Sequence, residues 1–396
     1  MIQLITKRLL PFSMLLFILF STPASYGESR ELNIIYTGSL QGELEPCGCS
    51  PKTDFGGVAR LSGYLKEHKE ELSPHLLVDA GNFAGDDTPQ GKLKTETLLK
   101  VYGIIGYDAV AFSAREKAVQ DLVAEISHTN KISVVSGSSG HAGAVSVKRG
   151  NADILISTDP QLHALDKINI LVTDIQVSDA QAMKHWDVII LSSGEKLEEP
   201  LKKEKSIIVS GYPKGKEVGI LSLHLDDSGK IKGYKHRWQP LGNDIREDTE
   251  VRKVLQEYDA RVARLYKEAE TVVSEINYLG ISSCTECHQP FAEIWGKSRH
   301  AGAFASLEKV EKASDPECIK CHVVGFGEAG GFNSMKTTPG LANVQCEACH
   351  GAGKEHLANL ELPLNPVTVS ECLKCHTGEN SPDFNYPVYL EKIKHW

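Results

Sequence analysis

Cys346-Glu347-Ala348-Cys349-His350-Gly351-Ala352-Gly353-Lys354-Glu355-His356 is the stretch on which the reading of this chain turns. Its first five residues form a Cys-x-x-Cys-His motif. The motif recurs as Cys284-Thr-Glu-Cys287-His288, Cys318-Ile-Lys-Cys321-His322 and Cys372-Leu-Lys-Cys375-His376. One helical turn separates the two thiols, so both can bond the vinyl groups of one haem while the adjoining imidazole reaches its iron. Paired cysteines also make tetrahedral zinc knuckles, and an exported chain favours disulfides. Neither use requires a histidine directly after every second cysteine, and here one follows all four times. The expectation is four covalently bound haems c, with His288, His322, His350 and His376 as proximal ligands.

Outward from these motifs, the C-terminal segment is short for four haems, so the macrocycles themselves must supply much of its apolar core. Gly325, Gly327, Gly330 and Gly331 fit loops that pass close to a porphyrin face, or a plain flexible loop.

At 396 residues, 41% apolar and 24% charged, the chain reads as globular and long enough for two domains. Its net charge of -9 speaks against nucleic acid as a partner. At the start, Lys7 and Arg8 precede an apolar run from Leu9 to Phe20, and Ala24, Ser25 and Gly27 follow it. That pattern is expected to be a cleaved signal peptide over 1–27, with an uncleaved anchor as the alternative. A periplasmic or extracellular protein is implied.

Between these ends, brief runs rich in Val, Ile and Leu alternate with amphipathic segments such as Gly57 to His68 and Lys94 to Tyr102. The runs are Leu32–Tyr36, Leu76–Asp79, Ala109–Phe112, Ile132–Val135, Ile154–Ile156, Ile168–Val172, Val188–Leu191 and Ile207–Val209. A layered α/β domain over 28–245 follows. Val218 to Pro240 reads as a β-hairpin turned at Asp226-Asp227-Ser228-Gly229. A long helix from Thr249 to about Thr271 is expected next, with Val251, Val254, Leu255, Tyr258, Val262 and Leu265 on one face. It would connect the domains within 246–278 and lead into a haem domain over 279–396.

Trp295 to Ala303 (WGKSRHAGA), Cys321 to Phe326 (CHVVGF) and Val344 to His356 (VQCEACHGAGKEH) together resemble the cytochrome c-554 family of tetrahaem cytochromes, over roughly residues 280–396. The resemblance implies a compact, mostly helical domain with closely stacked haems. It points to His300 and His356 as distal ligands. By count, His300, His356 and His395 are the histidines after residue 280 that remain to serve four irons. Either one haem is five-coordinate, as in that family, or it takes Met335, or it recruits His224 or His236 from the first domain.

The N-terminal region resembles the metallophosphatase domain of secreted 5'-nucleotidases in pattern but not in ligands. In Thr37-Gly38-Ser39-Leu40-Gln41-Gly42, Ser39 and Gln41 replace a metal-binding Asp and His. Asn82 of Asp79-Ala80-Gly81-Asn82 replaces the bridging Asp, and Ser113-Ala114-Arg115-Glu116 replaces Gly-Asn-His-Glu. The region near Ser210-Gly211 lacks the later His-x-His ligands. Without them a two-metal hydrolase cannot generate its hydroxide.

Cys47 and Cys49, in Glu45-Pro46-Cys47-Gly48-Cys49, are the remaining cysteines. They can be a structural disulfide, an unreactive thiol pair, a redox-active pair or a soft-metal site. A disulfide across one residue is strained and easily reduced. The expected function is electron transfer by an exported tetrahaem cytochrome, with a reductase acting at an open iron as the alternative and a surviving phosphohydrolase behind both. Expected partners are other cytochromes or a membrane quinol-oxidising complex, and haems could also join chains into an oligomer.

Overall fold

The computed structural model describes residues 31–46, 49–137, 142–268 and 276–395. The expected signal peptide and Cys47 fall outside them. Among the described residues, no helix is long and apolar enough to cross a membrane.

Among the described residues, twelve strands make two six-stranded sheets. They are β1 (Glu31–Thr37), β2 (His75–Asp79), β3 (Ala109–Ala111), β4 (Val134–Val135), β5 (Ala144–Arg149), β6 (Ala152–Ser157), β7 (Ile168–Thr173), β8 (Val188–Leu191), β9 (Leu201–Lys203), β10 (Ser206–Ser210), β11 (Glu217–Leu225) and β12 (Ile231–Pro240). The first sheet runs β12-β11-β1-β2-β3-β4 and the second β5-β6-β7-β8-β10-β9. In each the central strands are parallel, and antiparallel strands form one flank of the first sheet and both edges of the second. Parallel strands covered on both faces read as continuous apolar runs, and β7, β8 and β10 are buried almost throughout.

The sheets face one another across Ile34, Tyr36, Leu76 and Val78 on one side and Ile154, Ile170, Val188, Ile190 and Val209 on the other. Tyr36 lies across from Gly219 in register. A Cβ on Gly219 would stand 2.1 Å from the Tyr36 ring, so only glycine leaves room there. Helices cover the outer face of the first sheet: α1 (Val58–Glu67), α2 (Pro89–Ile105), α3 (Gln120–Thr129) and α4 (Thr249–Glu268). The α2 helix begins where Thr88 accepts a hydrogen bond from Gly91 N and Pro89 fills the first turn, several residues before the expected start. The α4 helix buries Val251, Leu255, Tyr258 and Val262 in the same core. It is therefore packed along the first domain as it leads toward the second.

The C-terminal region is built from short helices, beginning with α5 (Ile281–Trp295). Its buried side-chain core is small: Phe304, Leu307, Ile319, Val323, Val324, Phe332, Leu341 and Ala342. Gly331 approaches Gly325 so closely that a Cβ there would meet the Gly325 carbonyl at 1.8 Å, and Gly325, at φ 61°, lies against the Tyr278 ring. These glycines close a loop on itself and on Tyr278.

Candidate haem sites and the first domain's crevice

Each Cys-x-x-Cys-His motif begins on a helix with its own stop or start signal, and the second and fourth run on past the helix end. In α5 the helix kinks at His288 (φ -116°, ψ 33°), just before Pro290. Asp315 caps the turn that carries Cys318 by accepting from Glu317 N. Gly351, at φ 80°, ends the helix Cys346–His350. Thr368 and Glu371 form a capping box ahead of Cys372. Cys284 lies beside Cys346, and Cys321 beside Cys375. The first motif thus adjoins the third, and the second adjoins the fourth.

The histidines pair across the motifs. Ring centroids are 6.5 Å apart for His288 and His356, 6.2 Å for His300 and His376, and 6.1 Å for His350 and His395. Two imidazoles bound to opposite faces of one metal, at about 2 Å per metal–nitrogen bond, place their centroids roughly 6.4 Å apart. All three spacings fit an iron between the rings. Facing His322 there is no histidine ring among the described residues. Its Nδ1 donates to Ala303 O at 2.6 Å. Met335 is exposed. His224 sits beside Glu31 and His236 bonds the Tyr36 hydroxyl, both within the first sheet.

Carbonyl acceptors fix the tautomers. Nδ1 of His350 donates to Asn365 O at 3.2 Å, that of His356 to Leu362 O at 2.6 Å and that of His395 to Ile393 O at 2.8 Å. A carbonyl can only accept, so each Nδ1 carries the proton and Nε2 is left for a metal. Burial holds His300 below its usual pKa, helped by the His376 charge, and burial does the same to His376. Neutral imidazole is the ligating form.

Around the third motif lies a cavity that opens to solvent. Cys346, Cys349 and His350 line one part of it, with Phe291, Trp295, Ile393 and His395 among the other lining residues. Its largely apolar walls, two thiols and three imidazoles, His300 among them, suit a covalently attached haem. The Ser298 hydroxyl, also in the lining, is buried without a partner.

At the carboxyl ends of β1, β2 and β3, where open α/β sheets bind ligands, the polar side chains bond one another. Ser39 Oγ and Asn82 Nδ2 both donate to Ser192 O, at 2.7 and 2.6 Å. Ser113 Oγ donates to Glu116 at 2.5 Å, and Arg115 Nε to Ala84 O. Asp79 accepts from Thr37 at 2.6 Å and Tyr102 at 2.9 Å, and burial still pushes its carboxyl up to about 6. Ser39, Gln41 and Asn82 keep left-handed backbones, at φ 58°, 55° and 55°. Such strain persists only where its surroundings over-determine it. Among the described residues no group of three or more His, Cys, Asp or Glu is placed to hold a metal ion.

The haem region docks on this same edge. Lys94 reaches both Glu317 oxygens at 2.7 Å, Gln90 donates to Asp315 at 3.0 Å, and Lys312 bridges Glu45 (2.8 Å) and Asp259 (2.7 Å). These contacts flank the second motif. Beyond the fourth, Glu379 takes Lys214 at 2.6 Å and Lys216 at 2.9 Å, and Asp383 takes Lys52 at 2.7 Å. Burial opposes ionisation of Glu45, but Lys312 and Arg252 hold its pKa below the usual range. Cys49, in the loop between the Glu45 and Lys52 anchors, is disulfide-bonded, and the eight motif cysteines are free. The histidine pairing and these anchors could not be read from spacing, since each joins residues distant in sequence.

Residues 283–351 match the family described as cytochrome c554 and c-prime. Cytochrome c-554 of Nitrosomonas europaea is 33% identical over 100 residues, covering 22% of this chain and 43% of that protein. The C-type polyheme cytochrome OmcB of Geobacter sulfurreducens is 28% identical over 91 residues, 22% of this chain and 12% of its own length. The chain thus matches less than half the length of either relative. In fold, it is similar to a 5'-nucleotidase precursor from Thermus thermophilus, with a TM-score of 0.52 at 15% identity over 71% of this chain and 68% of that one. Residues 283–351 are thus similar to multihaem c-type cytochromes, and the layered first domain has a fold like that of the 5'-nucleotidase precursor.

Proposed function

We propose that this protein is an exported tetrahaem cytochrome that transfers electrons between redox proteins of the periplasm or cell exterior, on a nucleotidase-like scaffold that no longer hydrolyses. The observation that carries this reading is the set of three imidazole pairs spaced for bis-histidine iron, each pairing one motif's histidine with one of His300, His356 and His395. Haems at the four motifs would be held by Cys284 and Cys287, Cys318 and Cys321, Cys346 and Cys349, and Cys372 and Cys375. Bound there, iron supplies one-electron chemistry whose potential follows its axial ligands and burial. The partners are other cytochromes or a membrane quinol-oxidising complex, and contact between haems of neighbouring chains can make an oligomer.

His322, with no histidine facing it among the described residues, favours a second reading: a reductase whose small substrate binds at the second motif. Intact mass and EPR of the oxidised protein test both. Expected are four attached haems and a high-spin ferric signal from about one haem in four that changes on adding cyanide. Bound zinc in place of haem overturns the first reading. Four low-spin haems indifferent to cyanide overturn the second.

A further inference from the structure

Ser298 stands immediately before the short helix Arg299–Gly302, at its N-cap, with extended backbone (φ -80°, ψ 160°). A serine there ordinarily turns its hydroxyl back to accept from an N–H of the first turn. This one makes no such bond. The hydroxyl is instead buried with no hydrogen-bond partner among the described residues, and the side chain lines the cavity shared with Cys346, Cys349, His350 and His395.

A buried hydroxyl left unbonded costs about 1–3 kcal/mol, so a missing partner is the expected explanation. The cavity's protein walls do not provide one. Gln345, the lining side chain with an amide, spends its groups on Gly340 O, Ala342 O and Ile281 N. Hydroxyl hydrogens are donors, and the acceptors that a haem brings into such a cavity are its two carboxylates. Lys297 and Arg299, on either side in sequence, add positive charge that suits an anion.

We propose that Ser298 is a positioning residue whose Oγ–H donates to a carboxylate of the haem attached at Cys346 and Cys349. The inference rests on the proposed attachment at that motif. Such a bond would offset part of the carboxylate's negative charge near the iron, which raises that haem's potential.

The test is Ser298→Ala beside Ser298→Thr, which keeps the hydroxyl, in the full chain with all haems attached. Spectroelectrochemical titration should show the potential of one haem in four falling in the alanine variant, with the other three unmoved. Resonance Raman should show a shifted carboxylate-bending band, and threonine should restore both. Unchanged potentials and bands would overturn the proposal. So would four potentials shifting together, or a shift that threonine reproduces, because either marks a general packing effect. Peptide mass spectrometry separates the two levels of argument: a peptide carrying Cys346 and Cys349 without haem defeats the attachment itself, whatever Ser298 does.

Discussion

The two halves of this molecule reach stability by opposite routes. The first domain keeps a full side-chain core, with Tyr36, Phe83, Tyr102 and Trp186 entirely buried between or beneath its sheets, while the groups at its sheet edge are bonded to one another. The haem region keeps every group needed for metal and thioether bonds, yet its buried apolar cluster is small and Leu357, Leu360, Leu373 and Val388 stand exposed. A scaffold can therefore survive the loss of its chemistry, whereas a region of the second kind depends on its cofactor for folding.

The sharpest way to break that comparison is to withhold the cofactor. In a Cys346→Ser, Cys349→Ser variant, hydrogen exchange should rise across much of residues 279–395 and stay low in β1, β2, β7 and β8. Continued protection around the third motif would show that side chains alone hold this region.

A smaller effect belongs to Asp79, whose folded pKa of about 6 lies above the ordinary 3.8. A raised carboxyl stabilises the fold fully below its unfolded pKa, and that contribution is lost as pH rises through about 6. The shift of about two units corresponds to roughly 3 kcal/mol. Asp79→Asn should flatten the stability of the first domain between about pH 4 and pH 7, as followed by denaturant melts. A slope identical to that of the unsubstituted protein would clear Asp79 of the role. The haem spectrum should not change.

The smallest effect on stability comes from the cysteine pair. We propose that Cys47 and Cys49 are a redox-active pair, Cys49 lying in the loop between the Glu45 and Lys52 anchors. Alkylation at controlled potential should label both thiols below a threshold inside the haem range and neither above it. Labelling that ignores potential across that range would end this assignment.

Much of this contrast is legible in the sequence, and the parts that are not share a cause. The runs Ile168–Val172, Val188–Leu191 and Ile207–Val209 announce β7, β8 and β10 because a strand buried on both faces has to be apolar throughout. The edge strands β5 (AVSVKR) and β9 (LKK) escape such a reading, since edges carry charges and alternate in character. The hairpin of β11 and β12 forms as its turn residues require, with Asp226 accepting from Ser228 N and Lys230 N. Motif and proximal histidine are local, so four sites are visible at once. Which imidazole faces which is tertiary: His356 lies six residues beyond His350 but faces His288. Nothing near Lys94 in the chain signals that its partner is Glu317.

The docking anchors come from the loops after β1 and β10, from the start of α2 and from α4, and so from elements around both sheets. Anchors spread over two layers do not share a line, and a body fixed at three points off one line has no axis left to swing about. The haem region is therefore clamped to its scaffold as a lens is to its mount. Salt weakens ion pairs, the exposed Lys52–Asp383 pair before the half-buried ones, so ionic strength is the screw by which that mount can be loosened.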